Sequence, residues 1–269
     1  MLHTKNGTLD LNGTQMEYIR FGTGSRVLIL LPGLGDGLCT MKGTALPMAL
    51  LYRDFAKEYT VYGFSRLNRL PRNYTTQDMA RDQIQAMDLL GIEKADILGV
   101  SMGGMIAQHL AADYPEKVDR LILAVTAARP NPRIQASIGE WMEQAQAGDH
   151  AALMDSNLRL IYSEGYYRKN KAMIPMIAAM TKPKSYDRFL VQARACLSHD
   201  CYDRLSSIAA PTLIIGGEQD AVVGAEASRE IAGLIPGAKL KMYENWGHGV
   251  YDEEKDFFPC ILKYLTKDN

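Results

Sequence analysis

Cysteine is scarce here: four thiols, Cys39, Cys196, Cys201 and Cys260, are scattered through 269 residues without a C-x-x-C pair. That excludes the disulfide framework of a small secreted domain and points to free thiols in a reducing compartment. Charge of one sign is not in surplus either. The formal net charge is −1, and no block of about five or six like charges occurs, so nothing would hold a polyanion and nucleic acid is not an expected partner. Long apolar runs are missing too. The densest, Val27 to Leu31, falls far short of a membrane span, and the opening Met-Leu-His-Thr-Lys-Asn-Gly has no apolar stretch of signal-peptide length. A cytoplasmic chain with no membrane span is expected. Internal repeats and low-complexity tracts are absent as well, which excludes a solenoid.

What is present is 47% hydrophobic and 23% charged residues, a balance that lets a chain of this length bury a substantial core, with one domain as the default. Thr8 to Leu11 and Gln15 to Phe21 flank the turn-like Asn12-Gly13 and read as a β-hairpin. Buried strands are expected at Val27–Leu31, Thr60–Phe64, Ala95–Val100, Arg120–Val125, Thr212–Ile215 and Lys239–Tyr243. Between and after them, helical patterns run through Leu46–Lys57, Thr76–Leu90, Met102–Ala112, Ala225–Leu234 and Asp256–Leu265. This alternation predicts an α/β fold with a mostly parallel sheet covered by helices on both faces. The stretch 129–207 breaks the rhythm: it holds helical patterns at Ile138–Gln146 and Leu153–Ile161 and no convincing strand. It reads as a helical insertion between core segments 1–128 and 208–269, with Arg129-Pro130-Asn131-Pro132 as a hinge because each proline restricts its own and the preceding residue.

Gly99-Val100-Ser101-Met102-Gly103-Gly104 follows an apolar strand and opens a helix, the context that a G-x-S-x-G match needs. A nucleophile at the tip of a sharp strand-to-helix turn needs small neighbours so that the chain can pass. The helix N-terminus there offers backbone N–H groups and a positive dipole end to an oxyanion. A serine ahead of a helix is also an ordinary N-cap.

On these residues the chain resembles the α/β-hydrolase superfamily, in the branch of serine hydrolases that carry a helical cap, and the resemblance spans almost the whole chain. It implies an eight-stranded α/β-hydrolase fold with 129–207 as the cap. It also implies an oxyanion hole from the backbone N–H of Met102 and that of Leu34, in the loop Leu31-Pro32-Gly33-Leu34-Gly35-Asp36-Gly37. The family more often begins this loop with His-Gly, whereas Pro32-Gly33 stands here, which keeps the backbone donor and loses the side chain. The loop's spacing does not fit the dinucleotide pattern G-x-G-x-x-G, because Leu38 occupies the last position. After the next strand, Phe64-Ser65-Arg66-Leu67-Asn68-Arg69 replaces the family's Asp-led, Gly-rich stretch. That segment shapes the core near the site, so the departure bears on substrate class more than on mechanism.

Serine needs a base, and histidine is the side chain whose ordinary pKa suits that role near neutrality. Of five histidines, His3 lies in the N-terminal tail, His109 sits about two helical turns beyond Ser101, and His150 and His199 fall in the insertion. His248, in Glu244-Asn245-Trp246-Gly247-His248-Gly249 after the last strand, belongs to the sheet rim that carries the nucleophile turn, because parallel strands place their following loops on one side. Gly216-Gly217-Glu218-Gln219-Asp220 matches the family's acid loop, which makes Asp220, ahead of Glu218, the residue to orient the imidazole and gives the chain order Ser, Asp, His. Asp220 could also serve as a turn residue bonding its own backbone. The alternative acid position of some relatives is closed, since Val125-Thr126-Ala127-Ala128 has no carboxylate.

The insertion holds Trp141, Met142, Met154, Tyr162, Tyr166, Tyr167, Met173, Met176 and Met180, adaptable residues for a roof over apolar groups, although most such side chains simply pack a core. Its Arg159, Arg168, Lys169, Lys171, Lys182 and Arg188 could greet an acidic substrate, or form a solvated face. The resemblance implies a serine hydrolase, esterase-like, acting on a carboxylic ester or thioester of a small to medium, partly apolar small molecule, with no cofactor and no metal. Carbon–carbon bond hydrolysis and prolyl aminopeptidase action use the same machinery, and a non-catalytic ligand sensor is the alternative of another class. Haloalkane dehalogenation would need an aspartate at Ser101. Assembly into a homo-oligomer stays open.

Overall fold

The computed structural model describes residues 2–11 and 13–267; Asn12 of the expected Asn-Gly turn lies outside them. The strands are β1 (Lys5–Leu11), β2 (Thr14–Phe21), β3 (Arg26–Leu31), β4 (Tyr59–Leu67), β5 (Ala95–Val100), β6 (Val118–Ala124), β7 (Thr212–Gly217) and β8 (Lys239–Tyr243). They form one sheet in the order β1-β2-β4-β3-β5-β6-β7-β8. β2 runs antiparallel to both β1 and β4, and every other pairing is parallel. The core helices are α1 (Ala45–Leu51), α2 (Thr76–Leu89) and α3 (Met102–Asp113); those between β6 and β7 are α4 (Pro132–Gln146), α5 (His150–Ile161), α6 (Glu164–Asn170), α7 (Ile174–Thr181) and α8 (Asp187–Leu197). α9 (Ala225–Leu234), α10 (Val250–Glu253) and α11 (Phe257–Thr266) complete the chain.

Strand side chains alternate between faces, and this splits the core in two. Ile97, Leu121, Leu123 and Ile214 join one buried cluster with residues of α2, α3 and α9. Leu98, Ile122, Leu213 and Ile215 join the other, with residues of α1 and α11. Strands buried on both faces read as continuous apolar runs, which is why their positions are plain in the sequence.

Three segments differ from expectation. β4 runs on to Leu67, through Ser65 and Arg66, which are 0% and 1% exposed; buried polar residues do not mark a strand in an apolar pattern. The helix expected over Leu46–Lys57 divides into α1 and a separate 3-10 turn at Phe55–Lys57, a break that lets Tyr52 and Phe55 both pack on Phe258. The stretch read as a hinge is a fastened helix start. Asn131 caps α4 by accepting from Arg133 and Ile134 N–H, its Nδ2 donates to Val223 O, and Pro132 opens the helix where no N–H is needed.

Candidate active site

The turn from β5 to α3 holds Ser101 at φ 53° and ψ −119°, backbone geometry that a side-chain-bearing residue adopts only when its surroundings enforce it. Close packing does so: a Cβ on Gly99 would lie 2.5 Å from the Gly103 carbonyl oxygen. Thr126 Oγ1 also donates to Ser101 O at 2.8 Å. Ser101 makes no side-chain cap bond to its helix, so its hydroxyl is left for other partners.

Those partners come from two loops at the same rim. His248 Nε2 lies 3.0 Å from Ser101 Oγ, and His248 Nδ1 lies 2.8 Å from Asp220 Oδ2. Both His248 and Asp220 are 3% exposed. Asp220 Oδ1 accepts from Val222 and Val223 N–H at 2.8 and 2.9 Å, so the carboxylate anchors its own turn with one oxygen and faces the imidazole with the other. Burial alone would raise the Asp220 carboxyl; the His248 charge, the His248 hydrogen bond and the two backbone donors outweigh it and hold the group below the ordinary aspartate value. Glu218 is turned away and pairs with Arg229.

The acid and base loops are tied together by Gln219 N–H donating to Trp246 O at 3.0 Å, and Gly249 N–H donates to Ile161 O at the end of α5 at 2.6 Å. The other buried histidines lie elsewhere. His109 meets His199 edge-on with centroids 5.1 Å apart, and His199 Nδ1 lies 2.9 Å from Thr76 Oγ1. His150 Nε2 lies 3.0 Å from Thr181 Oγ1. Burial pushes His199 down to about 3 and lowers His109 as well.

Met102 is the first residue of α3, where backbone N–H groups have no intrahelical acceptor. Leu34 opens a 3-10 turn over 34–37, and a Cβ on the preceding Gly33 would lie 3.4 Å from Ser101 Cβ. Behind this loop is a buried ionic cluster that the sequence reading missed. Arg66, 1% exposed, donates from Nη2 to Gly33 O at 3.0 Å, and its backbone N–H donates to Asp36 Oδ2 at 3.1 Å. Arg188 of α8 also donates to Asp36, through both its carboxylate and its carbonyl, and to Arg66 O and Leu67 O. Arg188 is thus committed to the core rather than free to greet a substrate. The signals for this cluster were Asp36 inside a Gly-rich loop and the departure of 64–69 from the family's Asp-led stretch.

Ser101, His248 and Leu34 line a cavity of about 390 Å³, a size suited to a small molecule. Trp141, Asn157, Ile161 and Phe189 of the 129–207 segment form one wall, and Met48, Leu51 and Tyr52 reach it from the α1 side. Its charged wall residues are Asp36 and Asp252; no Lys or Arg lines it. Among the described residues no group of three or more His, Cys, Asp or Glu could hold a metal ion.

Comparison with known proteins agrees with this architecture. RutD of Caulobacter vibrioides, which bears the name of a carbamate hydrolase, is 28% identical over 246 residues, covering 90% of this chain and 91% of the relative. RutD of Klebsiella pneumoniae is 26% identical over 245 residues, covering 89% and 91%. Among solved structures, MGS-M2, an alpha/beta hydrolase enzyme from a Medee basin deep-sea metagenome library, superposes with a TM-score of 0.85 at 23% identity over 98% of both chains. The enol-lactonase of Burkholderia xenovorans LB400 gives 0.83 at 23% identity over 97% of this chain and all of that one. The family described as alpha/beta hydrolase fold matches residues 26–255, so the chain belongs to that family and is a hydrolase.

Proposed function

We propose that the protein is a serine hydrolase that cleaves a carboxylic ester or thioester of a small to medium, uncharged and largely apolar acid through an acyl-enzyme. The observation that carries this is the continuous contact from Asp220 through His248 to Ser101, at 2.8 and 3.0 Å. His248 Nε2 takes the Ser101 proton as Oγ attacks the carbonyl, and Asp220 holds the imidazole and stabilises its charged form. The tetrahedral oxyanion faces the N–H groups of Met102 and Leu34. Collapse expels the alcohol or thiol with the proton from His248, and a water activated by the same imidazole releases the acid.

Arg66 serves as a positioning residue in this scheme. In a planar trans peptide the carbonyl and the following N–H point in opposite directions. Drawing the Gly33 carbonyl toward the Arg66 guanidinium therefore aims the Leu34 N–H away from it, toward the nucleophile side. The substrate class follows from the cavity wall. No Lys or Arg lines it, and of its two carboxylates Asp36 is neutralised by Arg66 and Arg188, which leaves Asp252 as the wall's one carboxylate without an arginine partner; such a wall opposes a free carboxylate on the acyl group and accepts an apolar one.

A fluorophosphonate probe tests the chemistry. Rapid labelling that disappears in Ser101→Ala is expected, and folded wild-type protein that does not label sinks the proposal. A panel of neutral esters, thioesters, carbamates and carboxylate-bearing esters then tests the substrate class. Neutral esters or thioesters should give the highest kcat/KM; preference for the anionic members would overturn the reading of the cavity.

A further inference from the structure

The segment between β6 and β7 carries a surface that the hydrolytic chemistry leaves unused. From Gly165 to Tyr186 the chain holds Arg168, Lys169, Lys171, Lys182 and Lys184 and no Asp or Glu, in a protein of formal net charge −1. All five cations are exposed. Arg168 pairs with Glu164, and the Lys171 ammonium lies over the Tyr167 ring at 6.0 Å. Lys169, Lys182 and Lys184 have no carboxylate partner among the described residues. Between the cations stand Met173, Met176 and Met180, 45%, 53% and 78% exposed. Met176 and Met180, four residues apart, lie on one side of α7 with Met173 at its N-cap, opposite Ile174 and Ala178, which are 7% and 6% exposed and face inward. α7 packs on α5, and α5 supplies Asn157 and Ile161 to the cavity wall. The methionine stripe is therefore the outer surface of the layer that covers Ser101.

We infer that this face of α7 docks the protein on an anionic lipid surface. Five positive charges in a run without an acidic residue, only Arg168 of them paired with a carboxylate, in a slightly acidic protein are complementary to a negatively charged partner. Three unbranched apolar side chains standing clear between the cations give the patch a second property, which charge pairing with an acidic peptide would not use. They match the boundary between headgroups and acyl chains, with the lysine stems lying along the apolar surface and their ammonium groups among the headgroups. No described helix is long and apolar enough to cross a membrane, so the contact is peripheral. The inference does not depend on the reaction proposed above.

Cosedimentation of the full chain with vesicles tests it, using phosphatidylcholine alone or mixed with phosphatidylglycerol, at low and high salt. Wild-type protein should bind the anionic vesicles at low salt and release from them at high salt. Each of Lys169→Gln, Lys171→Gln, Lys182→Gln and Lys184→Gln should lower the partition coefficient about fivefold. The combined variant Met173→Gln, Met176→Gln and Met180→Gln should lower it about tenfold or more while keeping the salt dependence. Thermal unfolding, followed in every variant, reports that the fold is intact whether or not Ser101 labels, which separates this question from that of the chemistry. The inference is overturned if wild type stays in the supernatant with both vesicles, if the lysine or methionine variants bind as wild type does, or if soluble polyglutamate displaces the protein from vesicles at equal charge concentration.

Discussion

Ser101 holds its hydroxyl toward His248 at the expense of backbone comfort. A non-glycine residue at φ 53° and ψ −119° carries about 1–3 kcal/mol of strain, and glycine reaches that conformation without it. Ser101→Gly should therefore melt higher than Ser101→Ala, by about 2–4 °C for each kcal/mol relieved, while neither variant labels with a fluorophosphonate. Thermal unfolding of the two side by side checks this, and an alanine variant at least as stable as the glycine one would refute it. Asp220 yields a second prediction. Asp220→Asn keeps an oxygen for the Val222 and Val223 N–H groups but cannot favour the charged imidazole, so kcat should drop by about 10⁴. The carboxyl is held below its ordinary value of 3.8. Its contribution to stability is therefore fully present above that pH, and is lost as the pH falls through the lower folded-state value. The Tm gap between wild type and Asp220→Asn should narrow as the pH falls below about 4; a gap that goes on widening below that pH would show the sign to be wrong.

At the scale of elements, the loop after β3 depends on a strand beside it rather than on itself. Its Gly33 carbonyl and its Asp36 carboxylate both end on Arg66 of β4, and Arg188 of α8 closes the cluster. Arg66→Met removes the side-chain donor to Gly33 O and leaves only the Asp36 N–H on it; it should lower kcat by about 10²-fold, with KM changed far less, because displacing the proposed oxyanion donor at Leu34 would affect only the transition state. Arg66→Lys, which retains a donor, should recover part of that loss. Steady-state kinetics of the pair distinguish this from a general loss of folding, which would lower active-site titre and leave kcat per labelled site unchanged. The same cluster marks the limit of what the sequence makes legible. Ser101 and His248 stand out because glycines, an apolar strand and the shared rim of a parallel sheet announce them, and Asp220 because its loop resembles the family's. Those three are brought together at hydrogen-bond distance. Arg66 and Arg188 gave no such signal: a charged residue reads as surface unless its partner is known, and Asp36 lies 30 and 152 positions away from them. The break after α1 was hidden for a related reason, since the aromatic contact of Tyr52 and Phe55 with Phe258 joins distant parts of the chain.

Across the whole molecule, the 129–207 segment is fastened to the sheet at two sides of the cavity. On one side Arg188 holds the loop after β3. On the other, Ser163 donates from its backbone N–H and its Oγ to Glu253 at 2.9 and 2.6 Å, and Tyr162 Oη donates to Asp252 Oδ2 at 2.6 Å. This second strap sits directly after Ile161, which lines the cavity and accepts from Gly249 beside His248. Loosening it should reach both stability and substrate binding. Ser163→Ala with Tyr162→Phe removes two side-chain donors to carboxylates, worth about 1–3 kcal/mol in total at partly exposed sites. At this chain length that lowers Tm by about 2–12 °C. KM for a neutral ester should rise because the wall at Ile161 is less well ordered, while fluorophosphonate labelling persists because the contacts among Ser101, His248 and Asp220 are untouched. A drop in Tm with KM unchanged would mean that the strap holds the segment in place without shaping the cavity, and that the wall it adjoins is set by α4 and α8 alone.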